Sequence, residues 1–216
     1  MKIDQIQIKT NDIQKTKGFY QNLFGLFILE EDQNSITFQA GTSILKFVED
    51  RDFNSIYHFA FNIPENQLEE AIEWCKNKVD LIVLEDKSVV THFENWNAHS
   101  IYFYDHNGNL LEFIARHDLN NDYAGEFNAA SILNISEIGI VTESPLELGN
   151  QLVEEHGLHF FSQNDNTEKF SAIGDHEGLL ILVQPNRNWY PTQTPSESNP
   201  VGISLENNES IINLIF

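Results

Sequence analysis

Cations are scarce in this chain and cysteine is almost absent. Twelve Lys and Arg stand against 33 Asp and Glu, a formal charge of −21, which repels phosphate backbones and anionic lipid instead of releasing their counterions. Nucleic acid and membrane surfaces are therefore not expected as partners. The one cysteine, Cys75, has no internal disulfide partner, and its setting "AIEWCKNK" reads as a helix with no histidine beside it to activate a nucleophile. Core packing is its expected role. No run approaches the ~20 apolar residues of a membrane span, and the opening "MKIDQIQIKT" lacks the apolar region of a secretory signal. The chain reads as soluble and cytoplasmic. It also lacks a Gly-x-Ser-x-Gly elbow, a Gly-Lys-Ser/Thr phosphate loop and a Cys-x-x-Cys pair, so neither those nucleophiles nor nucleotide phosphates have a motif to serve them. The acidic residues form no blocks and read as a solvated surface.

What is present is a repeat. The alternating strand "IDQIQI" (3–8) is followed by "NDIQKTKGFYQNLFGL", in which Asn11 or Asp12 caps a helix that buries Ile13, Phe19 and Leu23 and stops at Gly25. Three strand-like runs follow: "LFILEE", "SITFQA" and "SILKFVE". A second copy runs from "YHFAFNI" (57–63) through the helix "PENQLEEAIEWCKNK" to "LIVLED", "SIYFYD" and "LLEFIAR", with a hairpin turn at Asn107-Gly108. After the polar stretch "HDLNNDYAGEFN", a third copy opens at "ISEIGI" (135–140), continues in the helix "SPLELGNQLVEEHG" and gives "LHFFSQ", "EKFSAI" and "LLILVQ". A Pro- and Asn-rich loop then leads to "VGISLE" (201–206). One strand–helix–three-strand unit cannot bury both its helix stripe and its sheet, so units must pair. The expected division is a complete domain over 1–116 built from units 1–50 and 55–116, a linker over 117–133, and a third unit with the truncated start of a fourth over 134–216. The third unit then needs the stub or a second chain to complete it, which makes a homodimer the expected assembly.

The order of elements, with "GFYQNLFGL" in the first copy and "SIYFYDHNGNLLEFIAR" in the second, resembles the vicinal oxygen chelate superfamily of glyoxalases, fosfomycin and bleomycin resistance proteins and extradiol dioxygenases. The Asp-x-x-Gly-Asn turn between an aromatic strand and a Leu-Glu strand is the more specific part, although His106 stands where proline is usual. The resemblance implies an α+β fold of repeated βαβββ units paired into an open mixed-sheet barrel, whose cup holds a divalent metal on the first and last strands of each unit. Strand alternation puts Gln5 and Gln7, His58 and Glu112 opposite the apolar residues of their strands. Gln5, His58 and Glu112 are the implied ligands, of Fe, Mn, Ni or Zn.

Lys46 departs from the pattern, because it stands where glyoxalase I carries an acidic fourth ligand and an ammonium has no lone pair to give. Glu112 is then either a ligand in a three-residue site or half of a buried ion pair with Lys46 that replaces the metal. Two functions follow. One is a metal-dependent enzyme, a lyase, isomerase or ring-cleaving dioxygenase, acting on a small molecule with adjacent oxygens, with His99 as first candidate acid or base and Lys46 as a second. The other is a metal-free protein that sequesters a small hydrophobic or aromatic ligand. A purely structural interaction module is a third reading. His92 reads as a solvated loop residue. Trp96 on a loop beside the cup, Gln7 inside it, and Arg187 with Trp189 in "NRNWYP" are candidate substrate contacts. Glu137 takes the position of Gln5 in the third copy, but Gly202 takes that of His58, so no second metal site is expected.

Overall fold

Asp12 caps the first helix as expected, its carboxylate accepting the Lys15 N–H at 3.0 Å, and Gly25 ends it with φ +82°. The computed structural model describes residues 1–216. Its first unit is β1 (Lys2–Thr10), α1 (Ile13–Lys17) running on into a π-helical stretch (Gly18–Leu23), β2 (Phe27–Glu31), β3 (Ser35–Ala40) and β4 (Ser43–Glu49). The second is β5 (His58–Ile63), α2 (Leu68–Cys75), β6 (Val90–Phe93), β7 (Ala98–Tyr104) and β8 (Leu110–Arg116). The third is β9 (Asn134–Val141), α3 (Pro145–His156), β10 (Phe170–Asp175) and β11 (Gly178–Val183), and β12 (Gly202–Asn207) and β13 (Ser210–Ile215) follow as a hairpin. In each full unit the first and last strands lie parallel: β1 with β4, β5 with β8, β9 with β11. No helix is long and apolar enough to cross a membrane.

All thirteen strands join one open mixed sheet, ordered β2-β3-β4-β1-β9-β5-β8-β7-β6, with β12 and β13 branching from β1 and β11 and β10 from β9. The repeated units and their pairing into an open mixed sheet are therefore as the sequence implies, but the partners differ. β5 runs antiparallel to β9, whereas β1 runs antiparallel to β12 and meets β9 only at Ile3 opposite Ile135. The second and third units share one cup, and the first unit shares its half of the sheet with the final hairpin. The stretch after β8 explains this. It is not a loose spacer: Asn128 caps a short 3₁₀ turn (Ala129–Ser131), and the Leu133 carbonyl accepts the Thr42 N–H at 2.8 Å against the β3–β4 turn. It thereby delivers β9 into the gap between β1 and β5. Unit three finds its partner within the chain, so the argument that it needs a second chain does not arise.

Two expected strands are absent. Residues 81–86 contribute one bridge, Leu81 to Phe103, because Leu84 to Ser88 closes into a turn with Lys87 at φ 70°. The strand lies later, at β6. Residues 158–163 likewise give one bridge, Phe160 to Ile173; Leu158 and Phe161 are buried, so their apolar character serves the core rather than a ladder.

The Asp105 turn locks the first unit to the second. Its buried carboxylate accepts the Asn107 N–H (2.8 Å), the Asn109 N–H (2.9 Å), the Asn109 side-chain amide (2.8 Å) and the Tyr20 hydroxyl (2.7 Å). The Asn109 side-chain Oδ1 accepts the Tyr57 N–H at 2.8 Å, just before β5, and Gly108 supplies the left-handed residue of the turn at φ +83°. Removing the acceptor strands several buried donors, each costing about 1–3 kcal/mol. Asp105→Ala is therefore expected to lower unfolding free energy by at least about 3 kcal/mol and Tyr20→Phe by about 1 kcal/mol, read from urea midpoints at unchanged slope.

Candidate functional site

The ladder of β5 and β8 is offset so that His58 opposes Leu110 and Ala60 opposes Glu112, which sets an imidazole and a carboxylate diagonally on one face. The structure brings the pair together: His58 Nε2 lies 3.7 Å from Glu112 Oε2, and both side chains are buried. The His58 Nδ1–H donates to the Leu110 carbonyl at 3.1 Å, leaving the Nε2 lone pair free toward Glu112.

The third member is Glu137, not Gln5. β9 carries a β-bulge: Ala60 opposes Glu137 and Phe61 opposes Ile135, so Ser136 is the extra residue. The bulge shifts the alternation, letting Ile135 and Ile138 both enter the core while Glu137 turns to the cup. One ligand atom from each of His58, Glu112 and Glu137 lies within 4.8 Å of the others. Arg116, wholly buried, donates Nε to Ser136 Oγ at 3.1 Å and Nη2 to Glu137 Oε1, with the Trp96 ring 5.5 Å from its guanidinium carbon. The fourth equivalent position is apolar. Glu112 opposes the residue two beyond His58, and the matching residue of the third unit, opposite Gly139 two beyond Glu137, is Ile181.

Burial dominates the electrostatics. It pushes the Glu112 carboxyl up to about 8, with the Glu137 charge adding to it and Ser100, Arg116 and Tyr102 opposing. It lowers His58 to about 4. Burial also raises Glu137, against the pull of Arg116. Glu112 Oε1 and Arg116 Nη1 are buried with no partner. A buried carboxylate oxygen without a donor is costly unless a proton or a cation satisfies it. The surrounding cavity, about 300 Å³, is walled by Phe93, Trp96, Tyr102, Phe170, Trp189 and Tyr190 among others.

The structure separates several expected residues from this cup. Gln5 lies between Ile44 of β4 and Ser204 of β12, and Lys46 between Gln7 and Thr37. All of these sit in the other half of the sheet, with Gln7 beside a small cleft at Gly202 and Ile215. Lys46 therefore forms no pair with Glu112. His99 is on the wrong face of β7: Tyr102 faces the cup, whereas His99 stacks on His92 at 4.4 Å and shares a 2.8 Å hydrogen bond with His117. The expected substrate contacts Trp96, Arg187 and Trp189 do line the cup. Arg116 was not among the residues the sequence pointed to, and Glu137 was placed at the position of Gln5 but not counted as a ligand, because Gly202 stands where a second His58 would be. Their signals were the broken spacing of Ile135, Ile138 and Ile140, which marks a bulge, and the alternation of Glu112 with Arg116 on one face of β8.

Comparison with known proteins agrees with this architecture. A family model described as the Glyoxalase/Bleomycin resistance protein/Dioxygenase superfamily matches residues 2–190. The metallothiol transferase FosB of Staphylococcus haemolyticus is 30% identical over 117 residues, covering 51% of this chain and 80% of its own; FosB of Staphylococcus epidermidis matches to the same extent. Among solved structures, a putative dioxygenase from Bacillus subtilis superposes with a TM-score of 0.60 at 18% identity, over 90% of this chain and 64% of that one.

The pKa directions make opposite contributions to stability. Glu112, raised from 4.5 to about 8, adds stability at low pH that is lost as pH rises toward 8; His58, lowered from 6.5 to about 4, adds stability above 6.5 that is lost as pH falls toward 4. In chelator-treated protein, the melting temperature of Glu112→Gln relative to wild type is expected to climb between about pH 5 and about pH 8. A flat difference in thermal melts across that range would contradict the assignment.

Proposed function

The chain belongs to the Glyoxalase/Bleomycin resistance protein/Dioxygenase superfamily, and on that premise we propose that its cup is a divalent-metal centre acting on a small substrate with adjacent oxygens. The observation that carries this is the buried donor set of His58, Glu112 and Glu137, with Glu112 Oε1 unpartnered. One imidazole nitrogen and two carboxylates suit Mn or Fe, and also Ni or Zn. The FosB relatives are by name metallothiol transferases, which supports a metal-dependent reading. A bound ion would supply Lewis-acid stabilisation of negative charge developing on a substrate oxygen.

The protein's own groups are arranged for that task. His58 is fixed in one tautomer by the Leu110 carbonyl, and Arg116 keeps one Glu137 oxygen engaged, so neither ligand is free to swing. Glu112 would hold a bound ion as its carboxylate, without the proton that burial favours. Tyr102, held neutral because burial and the Glu112 charge raise its hydroxyl well above the usual range, replaces His99 as the proton donor facing the cup. The aromatic walls exclude water and accept a flat or apolar substrate body.

The rival reading, a metal-free ligand-binding protein, rests on the Arg116–Glu137 pair, since Lys46 no longer provides it. The two differ in metal content. Elemental analysis after dialysis against each ion should find about one ion per chain in wild type, lost in Glu112→Ala and Glu137→Ala and retained in Gln5→Ala and Lys46→Glu. Wild-type protein that takes up none of the four ions would establish the rival.

A further inference from the structure

In a chain with so few cations, two are found at the cup, and they are treated differently. Arg116 is paired with Glu137. Arg187, on the loop after β11, has no carboxylate partner; its one side-chain hydrogen bond is from Nη1 to the Asn188 carbonyl at 3.5 Å, and its guanidinium lies over the Phe170 ring, 4.7 Å from the centroid. It is half-buried and lines the same cavity as His58, Glu112 and Glu137. Glu85 and Asp86 line a separate cleft that also reaches Arg187, and neither is paired with it.

Two residues further on is a donor with no acceptor at all. Trp189 is buried and lines the cavity, and its indole N–H has no acceptor. The ring is not there by default packing. It rests on β9 at Gly139, where an added Cβ would come within 2.5 Å of Cη2, and its centroid is 5.1 Å from that of His58. A glycine inside a strand, in line with Glu137, thus makes room for an indole that leaves its polar atom unsatisfied.

A cation without a carboxylate partner and a buried indole N–H without an acceptor, both on residues that line an aromatic cup, define the chemistry of what is missing. We infer that the substrate is a small organic anion whose carboxylate is held by Arg187 and the Trp189 N–H, while its apolar or aromatic body lies among Tyr102, Phe170 and Tyr190. This rests on the metal-centre reading for the other end of the substrate, where the adjacent oxygens lie. The guanidinium fork matches a carboxylate in shape as well as charge, and the strongly negative remainder of the protein makes a lone unpaired arginine the natural point of capture.

The test uses three probes with the same adjacent oxygens: catechol, protocatechuate, which adds one carboxylate, and the neutral amide of protocatechuate. Affinities are measured by calorimetry on the full chain, ion-loaded and chelator-treated. A charge-assisted contact predicts that wild type prefers protocatechuate over the amide by at least about tenfold. Arg187→Gln should abolish that preference while leaving catechol affinity unchanged, Arg187→Lys should keep part of it, and Trp189→Phe should reduce it. Equal binding of acid and amide by wild type overturns the inference, as does a preference that survives Arg187→Gln or failure of protocatechuate to bind in either state. The metal reading fails separately, through catechol affinity that is the same with and without the ion.

Discussion

Ser136 is the one residue by which β9 outruns β5, and the chemistry of the cup depends on that insertion. Strict alternation would send Ile135, Glu137 and Gly139 to one face and Ser136 and Ile138 to the other. The bulge breaks it, so both isoleucines join the core and the carboxylate joins His58 and Glu112. The displaced serine is also put to use, since its hydroxyl accepts the Arg116 Nε–H, and Arg116 in turn pairs with Glu137. A buried charge is costly unless a partner and further hydrogen bonds accompany it. Here one ladder irregularity supplies the position, the partner and the hydrogen bond together.

Two buried carboxylates in this protein show how differently the same group is used. Asp105 meets four donors, from its own turn and from Tyr20, and is a fastener. Glu112 has an oxygen that meets none, and burial holds it toward its neutral form. Such an unsatisfied group persists only where the surrounding strands fix it, and β5, β7 and β8 flank or carry Glu112 through continuous ladders. The rigid turn and the unsatisfied site are linked directly: Asn109 ties the Asp105 turn to Tyr57, the residue before His58.

Local pattern made most of the elements legible in the sequence. Alternation identified β1, β5 and β8, the Asp12 cap and Gly25 bounded the first helix, and the diagonal of His58 and Glu112 followed from period-two strands. Which unit pairs with which was not legible, because antiparallel β1–β9, β5–β9 and β1–β12 contacts offer similar apolar strands and differ in how an intervening stretch is anchored. That anchoring lies in the Thr42–Leu133 bond and the Asn128 cap, which no periodicity reveals. The misassigned partner carried Gln5 and Lys46 into a cup they do not line. His99 failed for a simpler reason: its strand alternates, and the neighbours chosen by Tyr102 put it on the opposite face.

The pairing of β1 with β12 sets Lys2 opposite Glu206, joining segments made about 200 residues apart. At ordinary elongation rates of about 5–20 residues per second, β1 waits roughly 10–40 s for that neighbour to leave the ribosome. Its parallel partner β4 arrives early, so during the interval one side of β1 presents unpaired backbone groups next to a finished ladder. The strands of the cup lie within residues 58–183, so all of them are made before that side is covered. Synthesis of the half that carries His58, Glu112 and Glu137 thus precedes protection of the other half, with the exposed flank of β1 the point at which a nascent chain is most open to pairing with a stranger.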